Sequence, residues 1–317
     1  MGEFKIWRSL LFIPANNWKM LNKSVAEEQD AVLIDLEDAC PVTERETGRV
    51  FARDIAPSLK AAGIDVLIRV NSLTTGVTEQ DLSVVLSDNI DGIMLPKTET
   101  SQDIELLQQM LEKEERRKGI RKPIAILPLL ESPKGIINAY EIAQVNDRVA
   151  ALCFGAGDFM RELGEGFTIA KMSPEEYFPV LMYARSQIAT AASAAGIPAI
   201  DTPFFGLLID SDGLEKEASK AKLLGFKGKM LTHPRHIQTV NRIFSPSEQD
   251  VAFSYKMVGA YNEAQAQGKG AAVLDGKMID IAMYRMGTEV LMKAQKIEEK
   301  TTLRKGMSKQ TMWIPGH

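Results

Sequence analysis

The sequence predicts an α/β protein built as a (β/α)8 barrel, the TIM barrel, with a C-terminal helical extension. The chain has 317 residues, which suits one barrel of about 250 residues together with an appendage. Short aliphatic and β-branched runs alternate with helical stretches, a pattern typical of parallel strands joined by crossover helices. Because eight such units fit into about 235 residues, a barrel is favoured over an open, doubly wound sheet.

Each predicted strand is a short aliphatic or β-branched run. No Gly-x-Gly-x-x-Gly follows the first run, so the sequence lacks the main signature of a dinucleotide-binding sheet. The predicted strands are 10–13, 31–36, 66–70, 92–95, 124–130, 149–154, 198–200 and 228–231.

Two segments within the predicted barrel show helical patterns. Residues 101–118 are strongly charged but place apolar side chains such as Ile104 and Leu111 at helical spacing. Residues 177–195 are followed by Gly196-Ile197-Pro198, which is a typical helix stop. These segments therefore fit the outer layer of a barrel.

The strand alternation stops after His236, and this change predicts a barrel domain at 1–235 and a helical extension at 236–317. Ser245-Pro246-Ser247-Glu248 resembles an N-cap that opens a helix running toward Gly268. Asp275-Gly276 indicates a tight turn. The last predicted helix is 279–297, and residues 298–317 are expected to form a loosely held tail.

Composition narrows the classes of partner. Apolar residues make up 45% of the chain and charged residues 25%, which are ordinary values for a globular protein. The net charge of -4 gives no general attraction to nucleic acid or acidic membranes. Cys40 and Cys153 are far apart, so two buried thiols are expected rather than a disulfide or thiolate zinc site. With no signal-peptide pattern and no long apolar run, we expect a cytoplasmic protein without membrane contact.

Two carboxylates follow neighbouring predicted strands. Glu131 lies in Leu130-Glu131-Ser132, and Asp158 lies in Gly155-Ala156-Gly157-Asp158. Because the carboxyl ends of barrel strands share one face, the two groups predict a site for a hard cation, Mg²⁺ or alternatively Mn²⁺. Zinc would be expected to recruit His or Cys. The alternative is that both residues are solvated loop acids that cap the next helix.

Arg69 ends an otherwise apolar predicted strand, where a cation needs an anionic partner. Either it grips a substrate carboxylate, or it forms a structural salt bridge with Asp35 or Glu37. His233 lies in Thr232-His233-Pro234, where stabilising a turn is favoured over a role as catalytic base.

A series of short motifs runs in order through nearly the whole chain. The motifs are 8–14, 35–39, 68–71, 95–97, 131–133, 155–158, 200–203, 225–229, 233–234, 244–246 and 275–280. Through these motifs the sequence resembles the citrate lyase beta-subunit family, which includes malyl-CoA and citramalyl-CoA lyases.

The resemblance implies roles for the polar residues at the strand ends. By that similarity, Glu131 and Asp158 are the Mg²⁺ ligands, and Arg69 binds the carboxylate and carbonyl region of a 2-keto acid. Glu37 and Asp38 resemble the acids that hold metal-bound water.

The resemblance also implies a site for the acyl-CoA. Asp280 matches an aspartate that acts on the acyl-CoA carbon from a neighbouring subunit, whereas Phe12 and Lys23 match substrate or CoA contacts. In two places the chain departs from the family pattern. Asn17 stands where relatives often carry arginine, and Ile281-Ala282 stands where many place a proline.

The function implied is a Mg²⁺-dependent carbon–carbon lyase. It would cleave or form a 3-hydroxyacyl-CoA, such as malyl-CoA or citramalyl-CoA, from acetyl-CoA and glyoxylate or pyruvate, as a homo-oligomer (trimer or hexamer). One alternative is a citrate lyase beta subunit acting on a citryl thioester within a complex. A class II aldolase on free hydroxy-keto acids is another, and a non-catalytic subunit is the third. One methyl group separates glyoxylate from pyruvate, and the sequence does not choose between them.

Overall fold

A computed structural model describes residues 5–164 and 171–311 of the chain. Within these residues, eight parallel strands close into a barrel in sequence order, with β1 paired to both β2 and β8. The predicted (β/α)8 fold is therefore confirmed. The strands are β1 (Ser9–Pro14), β2 (Ala31–Asp35), β3 (Asp65–Arg69), β4 (Gly92–Leu95), β5 (Ala125–Leu130), β6 (Leu152–Phe154), β7 (Ala199–Asp201) and β8 (Gly228–Leu231).

The barrel strands are buried on both faces, which explains why they appear in the sequence as continuous apolar runs. One cluster of buried side chains includes residues from all eight strands, and it forms a packed core. Its strand members include Leu10, Leu33, Leu67, Met94, Leu127, Cys153, Ile200 and Met230.

Helices follow the strands around the barrel. Residue 181, with φ -91° and ψ 0°, divides the predicted helix 177–195 into two. Pro179 removes a backbone donor just before this break. The barrel helices are α1 (Trp18–Ser24), α2 (Arg45–Ala61), α3 (Thr78–Val85), α4 (Ser101–Lys118), α5 (Pro133–Ile137), α6 (Ala139–Ala143), α7 (Ala156–Glu162), α8 (Pro174–Val180), α9 (Met182–Ala194), α10 (Ser211–Leu224) and α11 (Ile237–Phe244).

The chain divides into two compact units, Met1–Asn241 and Arg242–His317. The second unit contains α12 (Glu248–Ala266), the hairpin strands β9 (Ala272–Leu274) and β10 (Lys277–Ile279), and α13 (Ile281–Thr311).

Local signals explain these elements. Ser247 caps α12 by accepting a hydrogen bond from the Asp250 backbone N–H at 3.0 Å. Asp275 and Gly276 both have positive φ, 47° and 75°, as a tight hairpin turn requires, and this turn is confirmed.

The predicted loose tail is wrong for residues 298–311, because α13 continues through them. This stretch is rich in Glu, Lys and other strong helix formers, and Gln295 donates to Glu299 one turn later at 2.8 Å. Residues 312–317 of the predicted tail lie outside the described residues. Among the described helices, none is both long enough and apolar enough to cross a membrane.

Candidate active site

A cavity of about 480 Å³ opens at the carboxyl ends of the barrel strands, where TIM barrels place their chemistry. Loops after several strands contribute to it, and its wall combines acidic groups with apolar side chains. It is lined by Phe12, Asp35, Asp38, Ala39, Arg69, Leu129, Glu131, Gly155, Ala156, Gly157, Asp158, Thr202, Pro203, Phe205, Met230 and Thr232.

Arg69 is the last residue of β3 and is paired in register with Asp35, the last residue of β2. Its Nε and Nη2 lie 2.7 and 2.6 Å from the two Asp35 oxygens, a bidentate ion pair that is largely buried. Burial alone would lower the pKa of Arg69, but the hydrogen bonds and charge of Asp35 outweigh it and raise the pKa. The salt bridge considered as the alternative for Arg69 is therefore present, and the role in substrate binding stays a prediction.

Arg69 also connects Asp35 to the two acids that follow β2. Nη1 lies 3.2 Å from Glu37 Oε2 and 3.6 Å from Asp38 Oδ2, and the guanidinium carbon lies 5.0 Å from the centre of the Phe12 ring. Glu37 is buried whereas Asp38 is exposed. Burial raises the pKa of Glu37, and the charge of Arg69 offsets part of this effect.

Lys97 joins the acids of two strands. Its Nζ lies 2.6 Å from Glu37 Oε1, and its backbone N–H donates to Glu131 Oε1 at 2.7 Å. The residue has φ 53°, in the left-handed region that side chains rarely adopt, so the contacts around it must hold this strained backbone. Lys97 ends the motif 95–97, to which the sequence assigns no role.

Glu131 follows β5 and is only 4% exposed. A Cβ on Gly155 would lie 2.5 Å from Glu131 Oε2 and 2.6 Å from its Cβ, so only glycine leaves room for this carboxylate. Burial, followed by the negative charge of Glu37, raises the pKa of Glu131 to about 8. Gly155 belongs to the motif 155–158, but its role depends on the close approach to Glu131, which the sequence does not reveal.

Asp158 lies in the first turn of α7, and its carboxylate accepts a hydrogen bond from Arg161 Nε at 2.9 Å. The cavity brings Asp158 together with Glu131, and the charge of Asp158 contributes to the raised pKa of Glu131. Glu131 accepts a hydrogen bond from the Lys97 N–H, and the role of Glu131 and Asp158 as metal ligands stays a prediction.

The donor chemistry at this cavity fits a hard divalent cation. Within the part of the chain that the structure describes, the buried Glu131 carboxylate forms no ion pair with a cation, and Glu37 Oε2 accepts no hydrogen bond. In the described ranges, no three His, Cys, Asp or Glu side chains form a ready-made metal cage. Mg²⁺ does not require one, because it commonly keeps several waters and binds one or two carboxylates.

Lys23 lies in a separate cleft of about 620 Å³ beside α1, together with His233 and Arg235. A smaller cavity of about 180 Å³ also contains Lys23, and Phe12 and Thr232 border both this cavity and the main one. His233 Nδ1 accepts from the Arg235 backbone N–H at 3.1 Å, which is the turn-stabilising role favoured from the sequence.

Asp280 precedes α13 in the second unit and is exposed. Its Oδ1 accepts from the Met283 backbone N–H at 2.9 Å, so the side chain caps the helix. The catalytic role of Asp280 stays a prediction. Asn17 likewise caps α1, through a 3.0 Å hydrogen bond from the Met20 backbone N–H.

Residues 8–234 match the model of the HpcH/HpaI aldolase/citrate lyase family. The chain belongs to the HpcH/HpaI aldolase/citrate lyase family. The family resemblance carried by the sequence motifs, and the prediction of a carbon–carbon lyase family, are thereby confirmed.

Several relatives of this protein have lyase names. This chain is 34% identical to citrate lyase subunit beta of Haemophilus influenzae, over 92% of this chain and 98% of the relative. The L-malyl-CoA/beta-methylmalyl-CoA lyase of Cereibacter sphaeroides is 29% identical over 92% and 95% of the two chains. The human mitochondrial citramalyl-CoA lyase is 27% identical over 92% of this chain and 87% of the relative.

Solved structures of similar proteins agree with the fold. Protein CitE from Mycobacterium tuberculosis, in complex with magnesium, acetoacetate and coenzyme A, superposes with a TM-score of 0.70 at 26% identity, covering 91% of this chain and 98% of that one. A citrate lyase from Burkholderia xenovorans has a TM-score of 0.80 at 21% identity, covering 94% of each chain, and supports the fold alone.

Proposed function

We propose that this protein is a Mg²⁺-dependent carbon–carbon lyase. Its substrate would be a 3-hydroxyacyl-CoA such as malyl-CoA or citramalyl-CoA, cleaved reversibly to acetyl-CoA and glyoxylate or pyruvate. The observation that carries the proposal is one cavity that brings together the buried Glu131 and Arg69 with the partly exposed Asp158 at the strand ends. Relatives named malyl-CoA and citramalyl-CoA lyase support the substrate class.

Glu131 and Asp158 would hold the metal, with water and substrate oxygens completing the coordination. The CitE relative with bound magnesium supports Mg²⁺ as the ion, and Mn²⁺ would suit the same donors. When bound, the metal supplies Lewis-acid polarisation of the oxygen that alternates between alkoxide and carbonyl. Glu37 and Asp38 would accept hydrogen bonds from water at this site.

Arg69 would bind the 2-keto acid. Asp35 holds Nε and Nη2, so the guanidinium is fixed in orientation before substrate arrives. Nη1 is the guanidinium nitrogen that is not hydrogen-bonded to Asp35. It lies beside Glu37 and Asp38, and it would contact the keto-acid carboxylate. Fixing the cation in this way reduces the entropy lost when the substrate is oriented.

The acyl-CoA would approach along Phe12 and Lys23, because Phe12 borders both the main cavity and the smaller cavity that contains Lys23. Asp280 would donate a proton to the acetyl-CoA enolate carbon in cleavage and remove it in condensation. We propose that it does so in the site of a neighbouring subunit, within a cytoplasmic homo-oligomer (trimer or hexamer).

The direct test is an assay of the purified full chain with Mg²⁺ against malyl-CoA, citramalyl-CoA and citryl-CoA. We expect acetyl-CoA and a 2-keto acid from malyl-CoA or citramalyl-CoA, and no reaction after chelation of the metal. Turnover of the free hydroxy acids at the same rate would instead indicate an aldolase that needs no CoA. Turnover of citryl-CoA alone would indicate the citrate lyase reaction.

The shared site can be tested by mixing two inactive variants. Asp280→Asn is expected to bind Mg²⁺ and keto acid yet to lose exchange of the acetyl-CoA methyl protons. Mixed oligomers of Asp280→Asn with Arg69→Ala should regain part of the activity, because some sites then contain both native residues. Verified mixed oligomers without activity, or an active monomer, would contradict the shared site.

A further inference from the structure

Arg161 lies one helical turn after Asp158 and forms an ion pair with this carboxylate, which is proposed to bind the metal. Its Nε is 2.9 Å from Asp158 Oδ1, and the i,i+3 spacing puts both side chains on one face of α7. Asp158 lines the cavity, so this ion pair lies at its edge. A divalent cation at Asp158 would therefore meet a positive charge already in contact with its ligand.

The Arg161 side chain is free to leave this position. It is 64% exposed, whereas the Arg69 side chain is only 10% exposed and is held at two atoms by Asp35. Arg161 Nη2 also lies 3.9 Å from Glu162 Oε1, which gives the guanidinium a second carboxylate to pair with. An exposed ion pair of this kind is weak and is broken at little cost.

The Arg161–Asp158 ion pair affects the net charge around the cavity. With all carboxylates ionised, as metal binding requires, five carboxylates and three cations leave two negative charges, which one divalent ion neutralises. Without the Arg161 cation three negative charges remain, which favours the metal but leaves a negative site for an anionic substrate. The groups counted are Asp35, Glu37, Asp38, Glu131 and Asp158 against Arg69, Lys97 and Arg161.

We propose that Arg161 is a displaceable counter-cation, which competes with Mg²⁺ for Asp158 and, once displaced, supports binding of the anionic keto acid. This inference rests on the metal site proposed above. It assigns to one side chain two opposite effects, a weaker metal affinity and a stronger keto-acid affinity. Such an exchange couples the two binding events, because the metal displaces the Arg161 guanidinium from Asp158 and the guanidinium then favours the anionic substrate.

The test is calorimetric titration of the full chain, first with Mg²⁺ alone and then with pyruvate or glyoxylate at saturating Mg²⁺. Arg161→Gln is expected to bind Mg²⁺ about two- to fivefold more tightly and the keto acid about two- to fivefold more weakly, the range for an exposed pair. Arg161→Lys, which keeps the charge, should show smaller shifts in both. The matched control is Arg53→Gln, which removes an equal charge from the exposed pair with Asp54 on α2 and should shift neither affinity.

The two titrations separate this inference from the proposed function. If the native chain binds Mg²⁺ but Arg161→Gln shows unchanged or weaker metal affinity, the counter-cation is disproved and the metal site stands. Parallel shifts in the same direction for metal and keto acid would also overturn it, since a general disturbance of α7 would produce them. A native chain that binds no Mg²⁺ would overturn both proposals.

Discussion

Two of the networks of mostly buried charged side chains in the described barrel differ in how their charges are balanced. The closed network consists of Arg185, Asp201, Glu217 and Lys229, whose side chains have no exposed surface. Lys229 Nζ lies 2.7 Å from Asp201 and 2.6 Å from Glu217, and Arg185 Nε lies 2.9 Å from Asp201. Two cations thus face two carboxylates at short distance.

The cavity cluster consists of Asp35, Glu37, Arg69, Lys97 and Glu131. Here three carboxylates face two cations, and the unmatched group is Glu131, whose pKa burial and the charge of Glu37 raise to about 8. In the closed network, burial alone would raise the pKa of Asp201. The charges of Arg185 and Lys229 outweigh burial there and hold the pKa below its usual value.

The comparison shows that buried charge alone does not mark a functional site. Asp201 and Arg69 both end barrel strands, yet Asp201 is neutralised between the sheet and helix α9, which carries Arg185. The cavity cluster, by contrast, has one carboxyl group more than its cations balance, and it borders open space. A charge imbalance next to a cavity is what a cation can relieve.

The largest expected effect is on stability, and it comes from breaking the closed network. Lys229→Met removes one cation and leaves Asp201 and Glu217 short of a partner in a fully buried position. We expect a loss of about 3 to 5 kcal/mol in the free energy of unfolding, measured by urea denaturation. Lys113→Met, which breaks an exposed pair with Glu79, is the control and should leave the unfolding midpoint unchanged. Equal effects of the two variants would contradict a balanced network.

The next effect comes from Gly155. Gly155→Ala would place a methyl group against Glu131, so the carboxylate must move from its position beside Lys97. Metal affinity should fall about 10- to 100-fold, as for other groups that orient a ligand. Gly157→Ala is the matched control, because its Cβ would meet only the Phe205 ring at 3.9 Å. Similar metal affinity in the two variants would show that Glu131 does not need this orientation.

A smaller effect is expected from pH. Since the pKa of Glu131 is raised from 4.5 to about 8, the folded metal-free chain keeps a proton on Glu131 between these pH values, whereas the unfolded chain has lost it. Its contribution to stability is therefore fully present below the usual carboxyl pKa and is lost as pH rises through about 8. Mg²⁺ must displace this proton, so its affinity should rise by up to about tenfold per pH unit and level off above 8. Glu131→Gln should abolish the corresponding pH dependence of the free energy of unfolding, and an unchanged pH dependence would assign it to another group.

Much of the fold could be predicted from the sequence because the buried strands are continuous apolar runs. The long α13 was underestimated because its sequence after residue 297 has many good helix formers but little apolar periodicity. Strand ends also pointed to Glu131, Asp158 and Arg69, since parallel strands bring their carboxyl ends together.

The rest of the site depends on tertiary geometry. The left-handed backbone of Lys97 and the close approach of Gly155 to Glu131 leave no local signature in the sequence. The Asp35 ion pair was foreseen as an alternative for Arg69, but its bidentate geometry follows from the strand register. Likewise, Asp201 ends a strand as Arg69 does, and only the tertiary structure shows that Arg185 on helix α9 and Lys229 on strand β8 neutralise it.

The most direct test of the central claim, that Glu131 and Asp158 bind the catalytic metal, is Mg²⁺ titration of three proteins by calorimetry. The native chain is predicted to bind one Mg²⁺, whereas Glu131→Gln and Asp158→Asn should lose this binding and the metal-dependent lyase activity. Both variants should keep the native circular dichroism spectrum, because neither residue belongs to the closed network. Undiminished Mg²⁺ affinity and turnover in either variant would contradict the account.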